Sequence, residues 1–207
     1  MNEKEQHIVL GVLQVFMRFG VKAVSMDDVA NELGISKKTL YKFVKDKNDL
    51  VNKVMTFQCT TESCMVDDIS KSTTNAIDEI IELSKHVGQK LQSIHPSVHF
   101  DLNKYYPEAW KIFNEHRTNI ILKFIENNLK RGIKENLYRD NLNPKVVARL
   151  YIHKIDALFN PDIFPPGEIS FVEAYNEMMK YHIRGVANEK GVKYMKNKLK
   201  KETLNIF

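Results

Sequence analysis

SMDDVANELGISKKTLYKFVKDK, residues 25–47, predicts two short helices joined by a turn. Ser25 can cap the first helix, which is expected to end at Leu33. Gly34 then supplies a residue that tolerates a positive φ angle, and Ser36 can cap the second helix. A short helix, a glycine turn and a second helix together form the pattern of a helix-turn-helix.

Apolar residues of this stretch recur with helical spacing and predict one inward face on each helix. Val29, Ala30 and Leu33 would form the inner face of the first helix. Leu40 and Val44 are four residues apart on the second helix, so they share one face and can pack on the same core. The remaining positions of the second helix are left for the solvent or for a partner.

Positive charge is concentrated on the second helix. Residues 36–47 contain five lysines and one acidic residue, a net charge of +4, whereas residues 1–50 contain eight basic and seven acidic residues. In a helix-turn-helix, the N-terminal end of the second helix enters the major groove of DNA. The stretch would then pack on a core with one face and contact phosphates and base edges with the other. The alternative interpretation is a small helical hairpin with a basic, solvated face.

The rest of the chain is also predicted to be helical, so the expected fold class is all-α. All six prolines lie within residues 96–166, where most precede helices, and no segment alternates as a strand would. Besides the two short helices, of which the second covers about 37–43, the pattern predicts helices over about 3–19, 47–70, 75–94, a short one after Pro96, 107–136, 144–158 and 170–189. The lysine-rich tail from Lys190 is expected to be a frayed, solvated helical extension.

Composition excludes several classes of protein and favours an anionic partner only weakly. The 207 residues carry a net charge of +5, with a pI of about 9.0. The N-terminus lacks the order of a signal peptide, and no apolar run is long enough to span a membrane, so a cytoplasmic protein is expected. Cys59 and Cys64 are expected to be buried, reduced thiols, and neither a metal nor another cofactor is expected.

A continuous block near the N-terminus has the residue order and spacing of a known family. The matching residues are Phe16, Gly20, Ser25, Val29-Ala30, Gly34-Ile35-Ser36, Thr39-Leu40-Tyr41, Lys47 and Leu50. Through them, about residues 5–55 resemble the TetR family of bacterial transcriptional regulators. Two positions depart from the pattern: Val44 replaces a common aromatic residue, and Phe43 stands where a polar or aromatic DNA-facing residue is usual. The remaining three-quarters of the chain is similar only in the number, length and order of its helices.

The resemblance implies a three-helix helix-turn-helix DNA-binding domain in residues 1–47. A larger helical effector-binding and dimerisation domain would follow in residues 48–207, giving about nine helices in all. It implies a repressor that binds a palindromic double-stranded DNA operator as a homodimer. The implied DNA-binding residues are Ser25, Ser36, Lys37, Lys38, Thr39, Tyr41, Lys42 and Lys47. Among them, the lysines of the second helix are candidates for reading bases, and Lys47 resembles the family's phosphate-binding lysine.

The resemblance also implies a dimer interface and an effector pocket in the larger domain. The expected dimer contacts are Val147, Tyr151, Ile155 and Leu158 on the helix over 144–158, and Val172, Tyr175, Met179, His182 and Val186 on the helix over 170–189. A small apolar or aromatic effector is expected to contact His86, His99, Phe100, Tyr105, Trp110, Phe113 and His116. These aromatic residues could also be ordinary core residues.

Two other functions remain open at this stage. The first is a DNA-bound regulator that responds to a protein partner or to no ligand. The second is a helical-bundle enzyme or ligand carrier. The sequence contains no paired-carboxylate motif, no nucleophile elbow and no phosphate-binding glycine loop, so no catalytic residue is assigned and an enzyme is not expected.

Overall fold

The computed structural model describes residues 3–165 and 167–202, with side chains described through residue 199. These residues form eleven α-helices: α1 Glu3–Phe19, α2 Met26–Glu32, α3 Lys37–Leu40, α4 Lys47–Ser72, α5 Ala76–Ser93, α6 Ser97–Tyr105, α7 Pro107–His116, α8 Leu122–Lys134, α9 Pro144–Leu158, α10 Phe171–Val186 and α11 Glu189–Glu202. Within the described residues no strand forms, and a single antiparallel bridge joins Tyr138 to Ala187. The prediction of an all-α fold is confirmed.

Three helical segments differ from the prediction. The second helix of the helix-turn-helix is only four residues long, and turns follow it over residues 41–43. The helix predicted over 107–136 is interrupted by a π-helical turn at Arg117–Ile121. The tail, expected to be a solvated extension, instead forms α11, whose Met195 is buried.

The chain forms two compact units. The first comprises Met1–Cys64 and Ser93–His116, and the second comprises Met65–Gln92 and Arg117–Phe207. The first unit therefore includes α6 and α7 in addition to α1–α3 and the beginning of α4. The functional boundary expected after residue 47 stays a prediction.

In the first unit, Gly11 of α1 leaves room for the side chain of Leu33, the residue that follows α2. A Cβ atom at Gly11 would lie 2.4 Å from Cδ2 of Leu33. Leu40 and Val44 are buried in this core, as their spacing predicts. The inner face of the helix-turn-helix is therefore fixed by packing, which leaves its other face outward.

A buried carboxylate ties α6 to the loop between α1 and α2. Oδ2 of Asp101 accepts hydrogen bonds from the backbone N–H groups of Val21, at 3.0 Å, and Lys22, at 2.9 Å. The hydroxyl of Ser97 donates to the same oxygen at 3.0 Å. Gly20, with φ +85°, allows the chain to turn into this loop. This contact holds the segment that leads into α2.

A polar network ties α11 to α5 in the second unit. The ammonium of Lys198 donates to the buried carboxylate of Asp78 at 2.6 Å, and the hydroxyl of Tyr194 donates to it at 3.0 Å. Burial alone would raise the pKa of Asp78, but hydrogen bonds from Lys198, Thr74 and Tyr194 bring it below the usual value. These bonds explain why the lysine-rich segment is docked rather than solvated.

Candidate nucleic-acid interface

The start of α2 is fixed by a reciprocal capping box. The hydroxyl of Ser25 accepts from the backbone N–H of Asp28 at 3.2 Å, and the backbone N–H of Ser25 donates to the Asp28 carboxylate at 2.8 Å. The same hydroxyl also donates to that carboxylate at 2.7 Å. Backbone and side-chain hydrogen bonds from Ser25 lower the pKa of Asp28. Ser25 is exposed, so the N-terminal end of α2 is accessible to a phosphate.

The turn and the beginning of α3 follow the predicted local signals. Gly34 adopts φ +62°, and the N–H of Ile35 donates to the carbonyl of Ala30 at 3.0 Å. The hydroxyl of Ser36 accepts from the backbone N–H of Thr39 at 3.1 Å and lies 2.8 Å from the Thr39 hydroxyl. Two hydroxyls therefore lie together at the first turn of α3.

The outer face of α3 and of the turn after it is basic and accessible. Lys38 and Lys42 are exposed, and Tyr41 is 44% exposed. Lys37 forms an ion pair with Asp27 at 2.9 Å, and this hydrogen bond raises the pKa of Lys37. Both partners are exposed, and such a pair contributes little to stability. A DNA phosphate can therefore replace Asp27 as the partner of Lys37.

Lys47 is placed differently from the α3 lysines because it is half-buried. Its ammonium donates to the backbone carbonyl of Lys22 at 3.1 Å and lies 5.7 Å from the centre of the Tyr106 ring. Burial, followed by the nearby charge of Lys22, lowers its pKa. An ammonium has three N–H donors, so Lys47 can hold the loop before α2 and still donate to a phosphate.

Sequence reasoning missed Lys53, which supports the recognition segment from α4. Its ammonium donates to the backbone carbonyl of Phe43, and it lies 3.6 Å from Glu5 and 3.9 Å from Asp49. Asp49 also accepts from the backbone N–H of Lys45 at 2.9 Å. These contacts fix the end of the turn after α3, and no local motif at position 53 indicates them.

The predicted effector residues separate into several groups. His99, Trp110 and Phe113 come together in the first unit, where the His99 ring centroid lies 4.8 Å from that of Trp110 and 6.2 Å from that of Phe113. Phe100 and Tyr105 instead lie on the surface, 52% and 39% exposed. Contact of these two residues with an effector stays a prediction.

The other two histidines in that group lie in different surroundings. His116 is buried in the first unit, with Nδ1 3.7 Å from Glu62. His86 belongs to the second unit, where it is largely exposed and lies 3.7 Å from Glu82. Six of the seven predicted residues therefore belong to the first unit, and His86 belongs to the second.

Most of the predicted dimer contacts are buried in the core of their own protomer. Six of the nine have little exposed surface: Tyr151, Leu158, Tyr175, Met179, His182 and Val186. A side chain that is already buried has almost no area to offer a partner. Because of this burial, the 3-4 spacing of these six residues identifies the face of each helix that packs inward, rather than a face that is open to a second protomer.

Other apolar residues on the same two helices do face outward. On α9, Val146 is 51% exposed and Leu150 is 54% exposed, and on α10 Tyr181 is 74% exposed. Ala157 and Tyr181 line one groove of about 470 Å³ together with Ile163. These outward residues, and not the buried seam, are available for contact with a second protomer.

Comparison with known proteins assigns the helix-turn-helix to a family. Residues 9–54 match the family described as "Bacterial regulatory proteins, tetR family". These residues therefore form a DNA-binding domain of the tetR-family type. Its sequence is also 24% identical, over 154 residues, to the uncharacterized HTH-type transcriptional regulator YvaF of Bacillus subtilis (strain 168). That alignment covers 70% of this regulator and 78% of the relative.

Solved structures share the fold of this chain along most of its length. A TetR-family transcriptional regulator from Agrobacterium tumefaciens superposes with a TM-score of 0.73 at 11% identity, covering 89% of this chain and 98% of that one. A regulator from Saccharomonospora viridis, solved in complex with choline, also has a TM-score of 0.73, at 15% identity, covering 91% and 100%. These structures show a shared fold, and the match of residues 9–54 identifies a DNA-binding transcriptional regulator.

Among residues 3–165 and 167–202, none of the helices is both long enough and apolar enough to cross a bilayer.

Proposed function

We propose that this regulator is a cytoplasmic repressor that binds a palindromic operator as a homodimer and is released by a small-molecule effector. The observation that carries the proposal is the accessible basic face formed by Lys38, Tyr41 and Lys42 on a helix-turn-helix whose other face is buried. Lysine can donate to O6 and N7 of guanine in the major groove. The sugar-phosphate backbone beside that groove would be contacted by Ser25, Ser36, Thr39 and Lys47.

The proposed dimer uses the outward faces of α9 and α10. Val146 and Leu150 are four residues apart and so lie on one face of α9, and Tyr181 is exposed on α10 beside it. A two-fold dimer would bury these apolar side chains and present two α3 helices to successive half-sites of one operator. The half-buried Val147, Ile155 and Val172 would lie at the edge of this contact.

The proposed effector is a small apolar or aromatic molecule that contacts the rings of His99, Trp110 and Phe113. Aromatic rings with one polar atom suit a ligand that has an apolar body and a single polar group. The complex of the Saccharomonospora viridis regulator with choline supports a small-molecule ligand in this fold. To change DNA binding, the effector must favour the DNA-free state by about 1–3 kcal/mol.

A binding titration on the DNA upstream of the regulator's own gene tests the proposal. The expected result is saturable binding of two protomers per duplex, with an affinity well above that for a scrambled duplex of equal length. Equal affinity for both duplexes would contradict operator recognition. One protomer per duplex would contradict the dimer.

The effector is tested separately by screening small molecules for release of bound DNA. Trp110 is the sole tryptophan of the chain, so its fluorescence reports ligand binding beside it. A releasing molecule should also lose affinity for a Phe113→Ala variant. Release that is unaffected by this substitution would place the effector site elsewhere, while the DNA-binding proposal would stand.

A further inference from the structure

An exposed cluster of aromatic and basic side chains lies in the first unit, outside the helix-turn-helix. We call Lys22, Phe100, Lys104 and Tyr105 the flank patch. The ammonium of Lys22 lies 4.7 Å from the centre of the Tyr105 ring, and that of Lys104 lies 5.1 Å from the Phe100 ring and 5.4 Å from the Tyr105 ring. The two rings meet edge to face at 6.3 Å. These are cation–π distances.

The flank patch is continuous with the candidate nucleic-acid interface. The ammonium of Lys47 donates to the backbone carbonyl of Lys22 at 3.1 Å. It also lies 5.7 Å from the ring of Tyr106, the residue that follows Tyr105. A chain of direct contacts therefore leads from the predicted phosphate-binding lysine at the start of α4 to the C-terminal end of α6.

The charge that the flank patch presents to the solvent is positive. Lys22 and Lys104 are exposed, with their ammonium groups above the two rings. Asp101 lies on the same helix as Lys104, but it is only 5% exposed, and its Oδ2 accepts N–H groups from the loop between α1 and α2. Its carboxylate is therefore turned inward and does not face an approaching anion.

We propose that the flank patch binds the sugar-phosphate backbone of duplex DNA beyond the bases that α3 reads. This inference rests on the proposed operator binding. Duplex DNA carries one negative charge per about 1.7 Å of its axis, so a basic surface that continues from Lys47 meets further phosphates. The rings of Phe100 and Tyr105 hold the two lysines in place before DNA arrives, which reduces the side-chain entropy lost on binding.

The test compares two charge-removing variants of the full chain, Lys104→Gln and Lys71→Gln. Lys71 is an exposed lysine in the last turn of α4, outside the flank patch, so its variant controls for the loss of one charge. Affinities are measured by fluorescence anisotropy on one operator duplex between 50 and 200 mM salt. Each lost phosphate contact should flatten the slope of log affinity against log salt by about 0.9.

A dimer of Lys104→Gln loses two phosphate contacts, so its slope should be flatter by about 1.8. Between 50 and 200 mM salt, its affinity should therefore fall by a factor about 12 times smaller than that of the wild type. Lys71→Gln should match the wild type. Trimming the duplex ends that lie beside the half-sites should flatten the wild-type slope but not that of Lys104→Gln.

Three outcomes would overturn the inference. If Lys104→Gln keeps the wild-type slope while Lys38→Ala loses operator preference, the regulator reads DNA without the flank patch. If Lys104→Gln weakens binding without changing the slope, Lys104 supports the interface through the fold and does not contact a phosphate. If the wild type itself does not prefer its operator, the proposed function fails, and the inference fails with it.

Discussion

Replacing Asp101 should loosen the loop that leads into α2, and the cost follows from its contacts. Its Oδ2 accepts three hydrogen bonds, from the N–H groups of Val21 and Lys22 and from the hydroxyl of Ser97. Hydrogen bonds to a charged group contribute about 1.5–3 kcal/mol each, but the partly exposed donors can turn to water. We therefore expect Asp101→Ala to lower the free energy of unfolding by about 3–5 kcal/mol.

Asp101→Asn is the matched control because its amide oxygen can accept the same two N–H groups. It loses only the charge, so the expected cost is about 1–2 kcal/mol. Urea unfolding followed by the fluorescence of Trp110 measures both, since this tryptophan belongs to the same unit. If both variants cost the same, or if Asp101→Ala costs less than about 1 kcal/mol, the carboxylate does not hold this loop.

Two further predictions concern the second unit. Burial lowers the pKa of His182 from 6.5 to about 4. As the pH falls below 6.5, His182 is therefore protonated in the unfolded chain, whereas in the folded chain it is protonated only near pH 4. This difference should remove about 2–3 kcal/mol of stability between pH 7 and pH 4.5, and His182→Phe should remove that part of the pH dependence. Urea titrations at pH 7 and pH 4.5 measure this change in the free energy of unfolding. An equally large change in His182→Phe would refute the prediction. Met179→Glu should unfold the protein because Met179 is fully buried, whereas Tyr181→Glu should leave the helical content unchanged and yield monomers in sedimentation. A folded monomer from Met179→Glu, or a dimer from Tyr181→Glu, would contradict the proposed contact face.

Local signals in the sequence predicted the helix-turn-helix well. Ser25 and Ser36 accept the backbone N–H groups that a capping residue should accept, and Gly34 adopts the positive φ that its position requires. Each signal acts over a few residues, so it can be interpreted without knowledge of tertiary contacts. The buried Leu40 and Val44 follow from helical spacing for the same reason.

Long-range contacts could not be predicted in this way. Asp101 accepts from residues about eighty positions earlier, and Lys53 reaches the carbonyl of Phe43 from another helix. No short motif marks either residue. The spacing of Tyr175 and Met179 correctly identified one apolar face of α10, but spacing alone does not say whether a face meets its own core or a second protomer.

The claim that the first turn of α3 reads the operator is tested most directly with Lys38→Ala. Its affinity should be measured by anisotropy on the operator duplex and on a scrambled duplex of equal length and salt. We predict a loss of about 1–3 kcal/mol on the operator and a much smaller loss on the scrambled duplex. An equal loss on both duplexes, or no loss on either, would contradict the account.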